Sequence, residues 1–260
     1  RNILRGVGCE VVDIKVGPDT NFQPTPELVD RAVHDSAAID GLIIASPSNP
    51  TGTMLGTNEF RDLAVYCQDR GIRLISDEIY HGITYDRKAD CALKFSPDAI
   101  VINSFSKYFS MTGWRLGYAV WPGSLIEAAT RLAINCHSCV NAATQYAGIA
   151  ALVGPQDSVD DMVRAFDERR RVIVDELNQT PGVTCADPGG AFYAFADIRE
   201  LRIPSLDFAL YLVKEAGVVL THGSGFGTEG FQSDGQDLTV DALHADGQWQ
   251  VMFTRPLVTE

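Results

Sequence analysis

Three short apolar runs, each spilling into a cluster of polar residues, restrict what this chain can fold into more than any other feature. Leu42-Ile43-Ile44-Ala45-Ser46 ends in Pro47-Ser48-Asn49-Pro50-Thr51-Gly52, a loop dense in turn formers. Arg73-Leu74-Ile75-Ser76 runs into Asp77-Glu78-Ile79-Tyr80, and Ala99-Ile100-Val101-Ile102-Asn103-Ser104 enters Phe105-Ser106-Lys107. Apolar runs of this length, bounded by turn formers, read as buried strands. Between the first two, a helix is expected from about Asn58 to Arg70, with Phe60, Leu63, Ala64 and Cys67 on one face and Gly71 placed to end it. Strands that alternate with helices imply a largely parallel sheet covered on both faces, an α/β three-layer sandwich. Ligands of such sheets sit outside the carboxyl ends of the strands, which is where the polar clusters fall.

The rest of the chain extends this pattern. Val11-Val12-Asp13-Ile14 alternates like a strand, Glu27 to His34 reads as helix, and Leu116-Gly117-Tyr118-Ala119-Val120 reads as a further strand. Two long helices are expected near Leu125 to Leu152 and Asp157 to Asn178, with Gly154-Pro155 as the break between them. Short strands around Phe192 to Ile198, a helix near Leu206 to Glu215 and a glycine-rich tail follow. The expected organisation is a large domain over residues 1–155 and a smaller α+β domain over residues 156–260.

Composition narrows the partners. With 260 residues, 45% hydrophobic and 21% charged, the chain can bury one large core or two unequal ones. A formal net charge of -13 repels a phosphate backbone, so no nucleic acid is expected. No apolar run reaches the roughly 20 residues that cross a bilayer, so no membrane is expected either, and a cytoplasmic location is the default. Six scattered cysteines in a chain of this size read as reduced thiols. Cys136 and Cys139 have CxxC spacing, but no second pair follows in helical surroundings, so no metal site is expected.

The polar clusters would converge at one sheet edge: Asn49, Asp77 with Tyr80, then Ser104, Ser106 and Lys107, then Arg115. The string Ser104-Phe105-Ser106-Lys107-Tyr108-Phe109-Ser110-Met111-Thr112-Gly113-Trp114-Arg115-Leu116-Gly117-Tyr118 closely resembles the Schiff-base segment of class I/II aminotransferases, fold type I enzymes that depend on pyridoxal 5′-phosphate. Ser46 to Gly52 and Ser76 to Tyr80 resemble two further segments of that family, in its order and approximate spacing. The resemblance extends from Arg1 to about Gly227 and implies that fold, with residues 1–155 as the cofactor-binding domain.

By position, the resemblance makes Lys107 the Schiff-base lysine, an amine able to condense with the cofactor aldehyde and then to move a proton at the substrate Cα. Asp77 is placed against the pyridine nitrogen, where a buried anion keeps that nitrogen protonated. Tyr80 and Asn49 fall at the pair that hydrogen-bonds the ring oxygen; without the motif they would read as a core aromatic and a turn residue. Ser104, Ser106 and Arg115 fall at the phosphate cradle, two hydroxyls and a forked guanidinium. Asn49-Pro50 is a candidate cis peptide.

The resemblance implies amino acid and 2-oxo acid substrates and a homodimer with shared active sites. It also marks two departures. Family members carry a phosphate-binding helix and a ring-stacking aromatic ahead of the segment resembling Arg1 to Leu4, so an incomplete N-terminal part is expected. Near the other end, Val251-Met252-Phe253 has methionine where the substrate-carboxylate arginine would fall: either an insertion shifts the frame and Arg255, three residues later, fills that role, or the tail from about Thr228 is divergent or truncated. A β-lyase on the same scaffold, or a degenerate cofactor-binding domain, fits the same residues, because the carbanion chemistry is common to the scaffold.

Overall fold

A computed structural model describes residues 2–34, 39–226, 237–245 and 248–251. The chain divides into two compact units. The first comprises Arg1–Ser46, Met54–His81 and Ala89–Gly154; the second comprises Pro47–Thr53, Gly82–Lys88 and Pro155–Glu260.

In the first unit, β1 (Gly41–Ala45), β2 (Arg73–Asp77), β3 (Ile100–Ser104) and β4 (Gly117–Val120) form one sheet in that spatial order. β1, β2 and β3 run parallel, with Leu42 opposite Leu74 and Ile75 opposite Ile100. β4 is antiparallel to β3: residues 105–116 fold back as a loop with one short 3-10 turn, Thr112–Trp114, rather than as an α-helical crossover. The result is the expected α/β class with a mostly parallel sheet and one antiparallel edge strand.

Helix α1 (Asn2–Gly6) opens the unit, and α2 (Pro26–His34) and α3 (Thr57–Asp69) cover one face of the sheet. α3 follows from its apolar spacing: Phe60, Leu63, Ala64 and Cys67 recur every three or four residues and are all buried against Leu42, Ile44, Leu74 and Val101. Each such large side chain contributes about 1.5–3 kcal/mol by leaving water. The Glu59 carboxylate accepts the Gly56 N–H at 2.6 Å and closes the first turn. On the opposite face β1 presents Ile43, which is 51% exposed.

Two expectations fail locally. Val11 to Ile14 forms no strand: Ile14 packs against the core while Val12 stays exposed, and alternation without a neighbouring strand leaves no ladder to join. The helix expected from Leu125 to Leu152 is two helices, α4 (Ile126–His137) and α5 (Ala142–Val153). Ser138 takes φ 62, and the Asn141 side chain accepts the Ala143 N–H at 2.9 Å, which caps a new start.

The second unit is α+β. α6 (Asp157–Gln179) is the longest helix among the described residues and buries Phe166, Arg170 and Val174. β5 (Thr184–Cys185), β6 (Tyr193–Asp197), α7 (Ser205–Ala216), β7 (Thr221–His222), β8 (Asp237–Ala245) and β9 (Gln248–Val251) follow. The strands pair antiparallel in the order β5-β6-β8-β7, with β9 on β8. The Asn178 side chain bonds both the N–H and the C=O of Cys185, tying the end of α6 to β5. Met252 and Arg255 lie outside the described residues. Among the described residues no helix is long and apolar enough to cross a membrane.

Candidate active site

The polar residues at the strand ends are held by short backbone-directed bonds. Where β3 ends, the Phe105 N–H reaches Leu116 O at 3.1 Å and the Met111 N–H reaches Phe105 O at 3.1 Å, so residues 105–116 form a closed loop anchored by the buried Phe105 ring. The Ser104 hydroxyl donates to Leu116 O at 3.1 Å and accepts the Ser106 N–H at 3.0 Å. Arg115 takes φ 54, and its Nη1 donates to Thr112 O at 3.0 Å, which leaves the rest of its exposed guanidinium turned to solvent.

Lys107 projects from this loop with Nζ 5.8 Å from the centroid of the Tyr80 ring. Tyr80 is buried at the end of the segment that follows β2, so its ring is a fixed platform for the amine. Asp77 closes β2 itself, in register with Ile102 of the neighbouring strand. Burial pushes the Asp77 carboxyl above its ordinary value; the Glu78 charge adds to this, and the Ile79 N–H, which Asp77 Oδ1 accepts at 3.2 Å, opposes it together with His81. The fold therefore brings Tyr80, Lys107, Asp77, Ser104, Ser106 and Arg115 to the carboxyl edge of one sheet.

Asn49 belongs to the second unit, in the Pro47–Thr53 segment. The Asn49-Pro50 bond is cis. Asn49 Nδ2 donates to the Tyr193 hydroxyl at 3.2 Å. The loop closes through Ser48 N–H to Thr53 O at 2.9 Å, and Gly52, at φ 68, has no space for a Cβ beside Pro188 and Gly190 O.

Sequence reasoning passed over two residues beside Asp77. Glu78 is almost fully buried; its Oε1 accepts the Ala92 N–H at 2.8 Å and its Oε2 lies 3.3 Å from His81 Nδ1. His81 Nε2 lies 3.1 Å from Ser46 O, and Ser46 N–H reaches Asp77 O at 3.3 Å. This ring of contacts fixes the end of β2 to the end of β1. A glutamate at the mouth of an apolar strand, three residues from a histidine, was the available signal. Tyr193 was also missed, because the sequence offers only a short apolar strand there.

A family model described as aminotransferase class I and II matches residues 1–237. The chain is 37% identical over 231 residues to a valine–pyruvate aminotransferase of Mycobacterium tuberculosis, covering 88% of this chain and 59% of that protein. It is 41% identical over 217 residues to an aspartate aminotransferase of Geobacillus stearothermophilus, covering 80% and 55%. A crystal structure of an aminotransferase from Mycobacterium tuberculosis superposes with a TM-score of 0.84 at 35% identity, covering 92% of this chain and 61% of that one. This chain belongs to the class I and II aminotransferase family. It spans somewhat over half the length of the curated relatives it matches.

Proposed function

We propose that the protein containing this chain is a pyridoxal 5′-phosphate-dependent aminotransferase that moves an amino group from an amino acid to a 2-oxo acid. The observation that carries this reading is the Lys107 amine held over the buried Tyr80 ring with Asp77 one strand away. The donor set suits that cofactor group by group: a primary amine for the aldehyde, a carboxylate for the ring nitrogen, and a hydroxyl with a guanidinium for the phosphate. Held there, the cofactor would supply an electron sink for the substrate Cα.

The chain's own residues do the remaining work. Lys107 would hold the cofactor through its aldehyde, and its amine would carry a proton to and from the substrate Cα. Asp77, whose carboxyl is raised by burial, would face the ring nitrogen and accept its hydrogen. Tyr80 would donate to the ring oxygen, and the family resemblance gives Asn49 the same role, so that the two would set the basicity of the neighbouring nitrogen. Of the cradle residues Ser104, Ser106 and Arg115, Ser106 and Arg115 would take the phosphate oxygens, while the Ser104 hydroxyl, already bonded to Leu116 O and Ser106 N–H, shapes the loop that presents them. A homodimer agrees with the exposed apolar side chains of α4 and α5, among them Leu132, Ile134, Tyr146 and Val153. A cytoplasmic setting agrees with the acidic composition and unpaired cysteines.

Lys107→Ala in the intact protein tests the reading. The expected result is loss of the visible absorbance of bound cofactor and of amino transfer; retention of both would overturn it. Release of ammonia and 2-oxo acid without an added acceptor would point instead to a lyase.

A further inference from the structure

The second unit contains a set of contacts that the proposed chemistry leaves unused, and all of them lead to Asn49. We infer that Tyr193 is a positioning residue that orients the Asn49 amide, and that a clasp of Arg170 and Tyr85 holds Tyr193 and the Asn49 loop in register. The inference rests on the reading of Asn49 as a donor to the cofactor ring oxygen.

An asparagine amide has two N–H donors fixed in one plane. One of them meets the Tyr193 hydroxyl at 3.2 Å, so the plane is set and the second donor has a defined direction. Asn49 is itself exposed and, unanchored, would have to be ordered each time it acts, at a cost of about 0.5–1.5 kcal/mol. Tyr193 can anchor it because its own ring is 5% exposed at the start of β6, with the Phe192 ring 5.0 Å away.

The residues leading into Tyr193 are strapped to both short segments of this unit. Gly190 N–H donates to Gly52 O at 3.0 Å, and Ala191 N–H donates to Ile83 O at 2.9 Å. Tyr85 N–H donates to Gly189 O at 3.1 Å, and its hydroxyl donates to Ala191 O. A side chain at Gly190 would strike the Pro47 ring and Ile83 O, so the strap lies flush against the Asn49 loop. Beneath it Arg170 stacks on the Tyr85 ring at 4.7 Å. Its Nη1 bonds Asp187 and, at 3.3 Å, Pro188 O, while its Nε reaches Asp167 at 2.9 Å and its Nη2 approaches Asp86 at 3.7 Å. Only a guanidinium has enough donors to join three segments in this way. Burial also pushes the Tyr85 phenol well above its ordinary value, so its hydroxyl remains a donor throughout the working pH range.

Tyr193→Phe removes one oxygen and keeps the buried ring, and it is tested in the intact protein by two readouts. In cofactor-loaded protein, the midpoint of the pH-dependent change in visible absorbance should rise by about half a pH unit, because a less well-aimed donor stabilises the ring oxygen less. In cofactor-free protein labelled with [15N]asparagine, the side-chain amide pair assigned to Asn49 by its loss in Asn49→Ala should shift. An unchanged midpoint together with an unchanged amide pair would overturn the inference. Arg170→Met should speed hydrogen exchange of residues 47–53 and 82–88 by about tenfold or more with α3 unaffected, and unchanged exchange would remove the clasp from the argument. If Lys107→Ala kept its visible band, the cofactor reading would fail, while the amide spectrum of the cofactor-free protein would still decide the role of Tyr193.

Discussion

Tyr80 and Tyr85 stand five positions apart in the sequence, and each lies under a cation, yet the two pairs are built for different ends. Lys107 sits 5.8 Å from the centre of one ring and Arg170 sits 4.7 Å from the other. The arginine is buried, cannot lose its proton, and spreads its donors over Asp86, Asp167, Asp187 and Pro188 O. It is a fastener. The lysine stands on a tight loop at a strand end and presents a single nitrogen that can shed its proton and form a covalent bond. A cation over an aromatic ring therefore says little by itself about role; the donor geometry and the protons available decide it.

Exchanging the chemistry of the first pair should have the largest effect. Lys107→Arg keeps the charge over Tyr80 but removes the condensing amine, so amino transfer should fall by about 10³-fold or more, with loss of the visible band. A variant that kept its rate would show that charge alone suffices and would erase the distinction. Breaking the second pair with Arg170→Met should cost about 2–3 kcal/mol in urea unfolding, below the usual figure for a broken buried pair because Asp86 and Asp187 reach solvent. Arg170→Lys should recover less than half of that, since an ammonium cannot fork.

Asp77 offers a subtler comparison, because its cost to the fold has a definite sign. Burial raises its carboxyl in the folded state, so the stability contributed by its protonated form is present at low pH and lost as pH rises through the raised value. Asp77→Asn should therefore raise the melting temperature of cofactor-free protein at pH 7 by roughly 2 °C, with the difference shrinking as pH falls into the carboxylate range, while amino transfer declines. A lower melting temperature at pH 7 would show that Asp77 supports the fold rather than burdening it. The smallest effect belongs to Ser76, whose buried hydroxyl has no partner among the described residues. Ser76→Ala should stabilise by about 0.5 kcal/mol in the same urea titration.

The two pairs also differ in how much of them a reader of the sequence could see. Lys107, Ser104, Ser106 and Arg115 fall in one string of about a dozen residues, and Asp77 and Tyr80 in another, so local patterns were sufficient to name them. The direction of β4 was hidden because a connection over residues 105–116 is long enough for either direction, and only its folding back without an α-helix decides it. The split between α4 and α5 turned on Asn141 acting as a cap. The Arg170 clasp had little local signature: only Asp167 stands three residues away on the same helix, while Tyr85, Asp86 and Asp187 come from distant segments. Glu78 stood in plain view beside Asp77 and three residues from His81, and its burial is what the sequence alone does not show.

The second unit joins two short early segments, Pro47–Thr53 and Gly82–Lys88, to residues from Pro155 onward, and this bears on the order in which the molecule is made. Asn49 and Tyr193 are separated by 144 positions. At a synthesis rate of about 5–20 residues per second, that separation corresponds to roughly 7–30 s on the ribosome. During that interval β1, α3 and β2 can pair and pack, since all their partners have already emerged, while the Pro47–Thr53 and Gly82–Lys88 segments wait for α6 and β6. The contacts around Asn49 can therefore close only after the sheet edge has had time to form, and the pairing of β8 with β6 and β7 follows later still.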